Sequence, residues 1–266
     1  MKRRFDKMHG LGNDFVIVDS RKEPFEVTPE LARAIADRRT GVGCDQLILL
    51  EPSTTADLRM RIWNSDGGEV EACGNATRCV VQLTGAARIE SDGGLLQGAQ
   101  VEADVEVTLQ EPRFGWDEIP LAYPMDTAAL PMAWGALEHP MAVNVGNPHV
   151  IFFVDDPNSI AIEKLGPVIE EDAAFPQKVN VNLAAVTNDG ILLRTWERGA
   201  GLTLACGTGA CASAVAAIKR KYVASPVKVR MPGGSLTISW TPGEPILMRG
   251  SATHVFSGEL DLEALQ

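Results

Sequence analysis

The chain has 266 residues, enough for two domains of ordinary size. Hydrophobic residues make up 45% and charged residues 22%, the composition of a folded globular protein, so a disordered tail, a collagen-like fibre and a disulfide-dense miniprotein are excluded. The formal net charge is −11, and so acidic a surface repels nucleic acid and anionic membrane alike.

The opening MKRRFDKMHGLGNDF is basic, but no apolar run follows it, so it does not read as a secretory signal. No stretch reaches the roughly 18 apolar residues of a membrane span, and a cytoplasmic protein is expected. FVIVD (15–19) reads as a strand. Thr28 then caps a helix that has Pro29 at its first position and runs to about Arg38. LILLE (47–51) and LRMRIW (58–63) read as strands, and a helix follows from about Gly74 to Ala86. VEADVEVTL (101–109) alternates apolar and acidic residues, the pattern of a half-buried strand. Residues 110–131 carry Pro112, Pro120, Pro124 and Pro131 with no clear period, which predicts a linker. In the second half HVIFFV (149–154), ILLRTW (191–196), VKVRM (227–231), LTISW (236–240) and ILMRG (246–250) read as strands. CGTGACASAVAAIKR (206–220) reads as a helix of small and apolar residues, buried on most sides.

The two halves repeat each other. RIWNSDGGEVEACG (61–74) and RTWERGAGLTLACG (194–207) align without a gap at an offset of 133. Arg61/Arg194, Trp63/Trp196, Gly68/Gly201, Ala72/Ala205, Cys73/Cys206 and Gly74/Gly207 are identical. At an offset of 134, LGNDFVIV (11–18) falls on VGNPHVIF (145–152), which superposes Asn13 on Asn147 and Gln46 on Asn180. Such self-similarity predicts an α+β protein of two pseudo-symmetric domains, each a mostly antiparallel sheet wrapped around a central buried helix. The first is expected over 1–112, with a C-terminal strand at about 254–266 packing onto it, and the second over 117–253.

Five cysteines, an odd number in a reducing compartment, do not suit a disulfide framework. Cys73 and Cys206 stand where a helix begins, and the positive end of the helix dipole there is expected to lower the thiol pKa and favour thiolate. Gly74-Asn75 and Gly207-Thr208 follow, leaving backbone N–H groups to hold a carboxylate. If the domains face each other, two thiols flank the carbon attached to that carboxylate. One can remove a proton from one face while the other delivers a proton to the opposite face, inverting the stereocentre. Cys79 and Cys211, further along the helices, read as small core hydrophobes. Cys44, beside Asp45-Gln46, is left open between core and site. Spacings of six and five residues are not those of the usual zinc-binding pairs, so no metal is expected.

HGLGNDF (9–15), GVGCDQ (41–46), ACGNATRC (72–79), GNPH (146–149), ERGAG (197–201) and ACGTGAC (205–211) together resemble the diaminopimelate epimerase family, over nearly the whole chain to HVFSGEL (254–260). The resemblance implies a pyridoxal-independent epimerase that interconverts LL- and meso-diaminopimelate in lysine and peptidoglycan-precursor synthesis, commonly as a homodimer. It implies that Cys73 and Cys206 are the catalytic pair, with Cys206 accepting and Cys73 donating a proton in the LL-to-meso direction. Gly74-Asn75 and Gly207-Thr208 would hold the reacting carboxylate. Asn13, Gln46, Asn64, Asn147, Asn180, Glu197 and Arg198 would line the pocket. Arg198 suits a distal carboxylate through its bidentate fork, Glu197 suits an ammonium, and His149 and Glu197 would tune the thiols. No cofactor is expected, because no lysine is accompanied by the phosphate cradle that pyridoxal chemistry needs. His9, His139 and His254 read as structural. Two residues depart from the family pattern: Ala76 stands where Gly is common, and Phe256 where a Tyr often joins the dimer contact. Two other readings compete. A proline or hydroxyproline racemase-like enzyme would also use opposed cysteines but needs no arginine for a distal carboxylate. A thiol redox switch would leave the amide cluster unexplained.

Overall fold

The repeat in the sequence is also a repeat of strand order and register. A computed structural model describes residues 2–71 and 73–265. The chain divides into two compact units, one up to Val107 together with the segment from Gly250 on, the other Thr108–Arg249. The first contains β1 (Lys2–Gly10), β2 (Asn13–Asp19), α1 (Pro29–Ala36), β3 (Gln46–Glu51), β4 (Leu58–Asn64), β5 (Glu69–Val70), α2 (Gly74–Thr84), β6 (Arg88–Ser91) and β7 (Gly94–Val101), and β8 (Asp104–Thr108) closes it. β1 pairs with β2 antiparallel, β2 with β3 parallel across α1, β3 with β4 antiparallel, and β4 with β6 parallel across α2. β5 folds back on β4, and β7 on β6.

In the second unit a short hairpin, β9 (Ala133–Trp134) and β10 (Leu137–Glu138), precedes β11 (Met141–Asn144), β12 (Pro148–Phe153), α3 (Ile162–Glu170), β13 (Asn180–Thr187), β14 (Gly190–Glu197), β15 (Gly201–Leu202), α4 (Gly207–Lys219), β16 (Val227–Met231), β17 (Gly234–Ser239) and β18 (Leu247–Gly250). Its pairings run in the same succession: β11–β12 antiparallel, β12–β13 parallel, β13–β14 antiparallel, β14–β16 parallel. Phe15 lies opposite Gln46 and Leu47 opposite Trp63 in the first unit; His149 lies opposite Asn180 and Val181 opposite Trp196 in the second. β19 (Thr253–Asp261) returns to pair antiparallel with β1. The fold is α+β, dominated by mixed sheet with antiparallel pairs in the majority.

Local chemistry explains where the helices stop. Thr28 Oγ1 accepts the Leu31 N–H at 3.2 Å and Pro29 opens α1, as expected. The helix ends at Ala36 because the Asp37 carboxylate takes the N–H groups of Arg39 and Thr40 at 2.8 and 2.7 Å, a local alternative to helical bonding. α2 ends at Gly85, which takes the left-handed conformation (φ 71°) and returns its N–H to the Val81 carbonyl. In α4 every residue from Gly209 to Ala217 is buried, and its Gly, Ala, Ser and Cys side chains let the surrounding strands approach closely.

Two expectations are corrected. The alternating stretch 101–109 is not one strand, because Glu102 turns the chain in the left-handed region (φ 58°) between β7 and β8. The apolar–acidic alternation runs through that turn and hides it. The proline-rich segment 110–131 is not a loose linker: Ile119, Leu121 and Leu130 are buried in the core with Val150, Phe152 and Phe175. Proline removes a ladder donor but not the ability to pack. Cys44 belongs to the core of the first unit with Val16, Ile35 and Leu49. Burial pushes its thiol up to about 11, and that of Cys79 up to about 12, so neither ionises readily. No helix among the described residues is long and apolar enough to cross a membrane.

Candidate active site

In the first unit Cys73 ends the extended backbone (φ −147°, ψ 114°) that leads into α2. The first intrahelical bond runs from the Thr77 N–H to the Cys73 carbonyl, so the N–H groups of Gly74, Asn75 and Ala76 have no helical acceptor. A directed chain of amides passes beside the sulfur. The buried Arg78 guanidinium, which can only donate, bonds Asn75 Oδ1 at 2.7 Å. That turns Asn75 Nδ2 toward Asn13 Oδ1 (3.2 Å), and Asn13 Nδ2 then donates to Asp45 Oδ2 at 3.0 Å. The Cys73 thiol points at the same Asn13 Oδ1, 3.8 Å away. On the neighbouring strands Gln46 and Asn64 lie directly opposite each other, joined Nε2 to Oδ1 at 2.9 Å. Gln46 Oε1 is buried with no hydrogen-bond partner among the described residues.

Asp14 and Asp45 brace this wall. The Asp14 N–H donates to Asp45 Oδ2 at 3.1 Å and the Asp45 N–H to Asp14 Oδ1 at 3.0 Å. Arg38 bridges both carboxylates at 2.7 and 2.8 Å, and Lys7 Nζ lies 2.5 Å from Asp14. Burial alone would raise the Asp14 carboxyl, but the hydrogen bonds and charges of Arg38 and Lys7 outweigh it and hold the group well below the usual carboxylate range. A carboxylate depressed on folding stabilises the protein above its unfolded pKa, near about 4, and that contribution is lost as the pH falls toward the folded value. Asp14→Asn should cost about 1–3 kcal/mol at neutral pH, the loss of charge-assisted hydrogen bonds. Urea unfolding at a series of pH values should show the two proteins converging below about pH 4.

In the second unit Cys206 likewise caps α4 from extended backbone (φ −121°, ψ 110°), and its Sγ accepts the Gly209 N–H at 3.3 Å. The sulfur sits 3.0 Å from Glu197 Oε2 and 3.5 Å from Thr208 Oγ1, while Thr203 Oγ1 donates to Glu197 Oε1 at 2.5 Å. Here the expectation of a resting thiolate is corrected. Burial pushes the Cys206 thiol well above its ordinary value, and the charge and hydrogen bond of Glu197 add to it; Thr208 and the Gly209 N–H only partly oppose. A helix end lowers a thiol pKa where water still reaches the sulfur, and Cys206 is 3% exposed beside a carboxylate. Its S–H donates to Glu197 Oε2.

The remaining residues of the second unit gather around β12 and β13. Asn147 bonds His149 Nε2 through Oδ1 at 2.8 Å. Burial, with the charge of Arg198 adding, lowers His149 to about 3, so the ring is neutral. Asn180 commits both ends of its amide to main chain, Nδ2 to the Pro148 carbonyl (2.9 Å) and Oδ1 to the Arg198 N–H (3.0 Å). It thereby ties together the two segments that carry Asn147 and Arg198. The exposed Arg198 side chain donates to the Gln177 carbonyl at 2.9 Å. A groove of about 550 Å³ lined by Arg3, Phe25, Thr28, Leu31, Leu262 and Leu265 includes none of these residues. Among the described residues no group of three or more His, Cys, Asp or Glu side chains could hold a metal ion.

Sequence reasoning did not single out Arg78, Asp14, Thr203, Gly209, Asn182 or Thr195. Arg78 carried a usable signal: a charge three residues after Asn75, on a helix of small and apolar residues, stacks on the same face. Asn182 carried a weaker one, since two residues along a strand it shares a face with Asn180.

A family model described as Diaminopimelate epimerase matches residues 5–110 and 141–255. The chain belongs to the diaminopimelate epimerase family. It is 63% identical over 267 residues to Diaminopimelate epimerase of Rhizorhabdus wittichii, covering 99% of this chain and 97% of the relative. Identity to Diaminopimelate epimerase of Sphingopyxis alaskensis is 62% over 263 residues, 98% of each chain. It is therefore an isomerase, with the epimerase function of lysine biosynthesis. Solved structures of lower identity share the fold. A phenazine biosynthesis protein of the PhzF family from Bacillus anthracis matches with a TM-score of 0.70 at 16% identity, over 98% of this chain and 99% of that one. A hydroxyproline epimerase from Agrobacterium vitis matches with a TM-score of 0.64 at 14% identity, over 97% and 92%.

Proposed function

We propose that the protein inverts the α-carbon of diaminopimelate, between the LL and meso forms, by proton exchange with Cys206 and Cys73 and without pyridoxal. The observation that carries this reading is the Cys206 thiol 3.0 Å from the Glu197 carboxylate at the first turn of α4. Glu197 takes the thiol proton, and the thiolate left behind is stabilised by the Gly209 N–H and the Thr208 hydroxyl. That thiolate removes the α-proton, re-forming S–H. The electron pair spreads into the substrate carboxylate, which the N–H groups of Gly74-Asn75 and Gly207-Thr208 hold. Cys73 then gives its proton to the opposite face of the carbon and becomes thiolate. Its thiol faces the oxygen of Asn13, a neutral acceptor that cannot take its proton, which suits the donor in this direction. The reverse reaction exchanges the roles. Asn13, Gln46, Asn64, Asn147 and Arg198 recognise the rest of the substrate, Arg198 by its charge on the distal carboxylate.

We read the protein as a cytoplasmic homodimer whose partner is this small amino acid, not nucleic acid or membrane. Val255 and Phe256, 53% and 48% exposed on β19, supply an apolar surface suited to a second copy. The test of the activity is incubation with LL-diaminopimelate, with proline and with trans-4-hydroxyproline in D₂O, followed by chiral chromatography and mass spectrometry. Meso-diaminopimelate carrying solvent deuterium at the inverted carbon is expected, with both ring amino acids returned unchanged. Turnover of a ring amino acid but not of diaminopimelate would replace this reading with the racemase one.

A further inference from the structure

The internal repeat shows which polar groups packing alone does not require. In the first unit Phe15, Ile48 and Ile62 are fully buried, with Ile48 directly opposite Ile62, and Ala76 on α2 is fully buried as well. At the equivalent register in the second unit stand His149, Asn182 and Thr195, buried to the same degree, with Asn182 directly opposite Thr195 and Gly209 on α4. The fold accepts an all-apolar set at these positions. Burying three polar side chains instead costs free energy unless every one is bonded.

Every one is. Asn182 Nδ2 lies 3.1 Å from the Val150 carbonyl, which can only accept, so that end of the amide is the NH₂ group. Its second N–H donates to His149 Nδ1 at 3.0 Å. Thr195 Oγ1 donates to Asn182 Oδ1 at 3.0 Å and completes the amide. With Nδ1 as acceptor, the neutral ring carries its proton on Nε2 and gives it to Asn147 Oδ1 at 2.8 Å. Asn147 thereby has its Oδ1 committed to the ring, which leaves Nδ2, a donor, as the other end of its amide. A Cβ at position 209 would lie 2.7 Å from Asn182 Oδ1 and 2.9 Å from Thr195 Oγ1, closer than real contacts allow. Glycine there leaves room for the pair against the turn that caps Cys206.

We infer that Asn182, oriented by the Val150 carbonyl and the Thr195 hydroxyl, is a positioning residue that sets His149 in its Nε2–H tautomer and so directs the Asn147 amide to offer a donor to the substrate. The step to substrate rests on the proposed reaction; the tautomer does not. Asp at position 182 has no N–H to donate, so His149 Nδ1 must become the donor to the carboxylate.

The test is ¹⁵N NMR of the histidine side chains, with His149 assigned by comparison with His149→Gln. The wild-type ring should show protonated Nε2 and unprotonated Nδ1 throughout the neutral range. A protonated Nδ1 in the wild type overturns the inference. In Asn182→Asp, Nδ1 should become protonated and kcat/KM for diaminopimelate should fall about 10–100-fold, by analogy with groups that orient metal-bound histidines. An unchanged Nδ1 in that variant also overturns it. If Asn182→Asp does not fold, Asn182→Ile copies Ile48 and keeps strand propensity; loss of a single defined tautomer is then expected, and an unaltered spectrum is the contrary result. A protonated Nδ1 with undiminished turnover overturns the positioning role toward substrate and leaves Asn182 only the setting of the tautomer. Absence of diaminopimelate turnover in the wild type sinks that reaction while the spectra still decide the tautomer.

Discussion

Cys206→Ala and Cys73→Ala are each expected to slow epimerisation of diaminopimelate by at least about 10⁴-fold, the upper range for one positioned acid or base. Inversion needs a group that removes the proton and another that returns one, so neither cysteine can act for the other. The double variant should therefore be little slower than either single one, because parts of one relay are strongly non-additive. Steady-state rates of meso product formation, with circular dichroism to verify folding, check both statements. Cys79→Ala is the control, since Cys79 is fully buried within α2 and burial keeps its thiol protonated. A folded Cys79→Ala as inactive as Cys73→Ala would reassign the roles.

Glu197→Gln should produce a thiol that ionises more easily in an enzyme that turns over more slowly. Burial is the first cause of the raised Cys206 pKa, and the negative charge of Glu197 is the second. Glutamine keeps the size and a carbonyl oxygen for Thr203, but carries no charge and takes no proton. Removing the charge lets Cys206 lose its proton at lower pH, while removing the acceptor is expected to reduce kcat/KM by about 10²–10⁴-fold. The thiolate is read from its ultraviolet absorbance during a pH titration, with Cys73→Ala as background to isolate Cys206. A titration unmoved by the substitution would mean that Glu197 does not control Cys206.

Features that depend on near neighbours were legible in the residues themselves. Thr28-Pro29 marks the start of α1, and Ala-Cys-Gly marks the starts of α2 and α4, because a helix terminus is decided within about four residues by its own unpaired N–H groups. The duplication at offsets of 133 and 134 carried the two-fold plan, and with it the amides at 13, 46 and 147. β13 was missed although it holds Asn180 and Asn182. Its parallel pairing with β12 is made across α3, a helix containing Gly166 and Pro167 that no local pattern announced. The turn at Glu102 was hidden for the opposite reason, an alternation that continues straight through it.

Charge state divides the two sources of information most sharply. The sequence by itself determined that Cys73 and Cys206 sit at helix starts followed by glycine, where backbone N–H groups lack helical acceptors. It also determined the family, through six motif blocks in order. Only the tertiary structure decided that the Cys206 thiol donates to Glu197, that His149 is buried and neutral between Asn147 and Asn182, and that Asn180 braces main chain with both ends of its amide. A helix dipole is a property of consecutive residues and can be read in line. Desolvation and hydrogen-bond direction depend on what every neighbouring element brings to the same few cubic ångströms, and β13, β14 and α4 meet there only after the chain has folded.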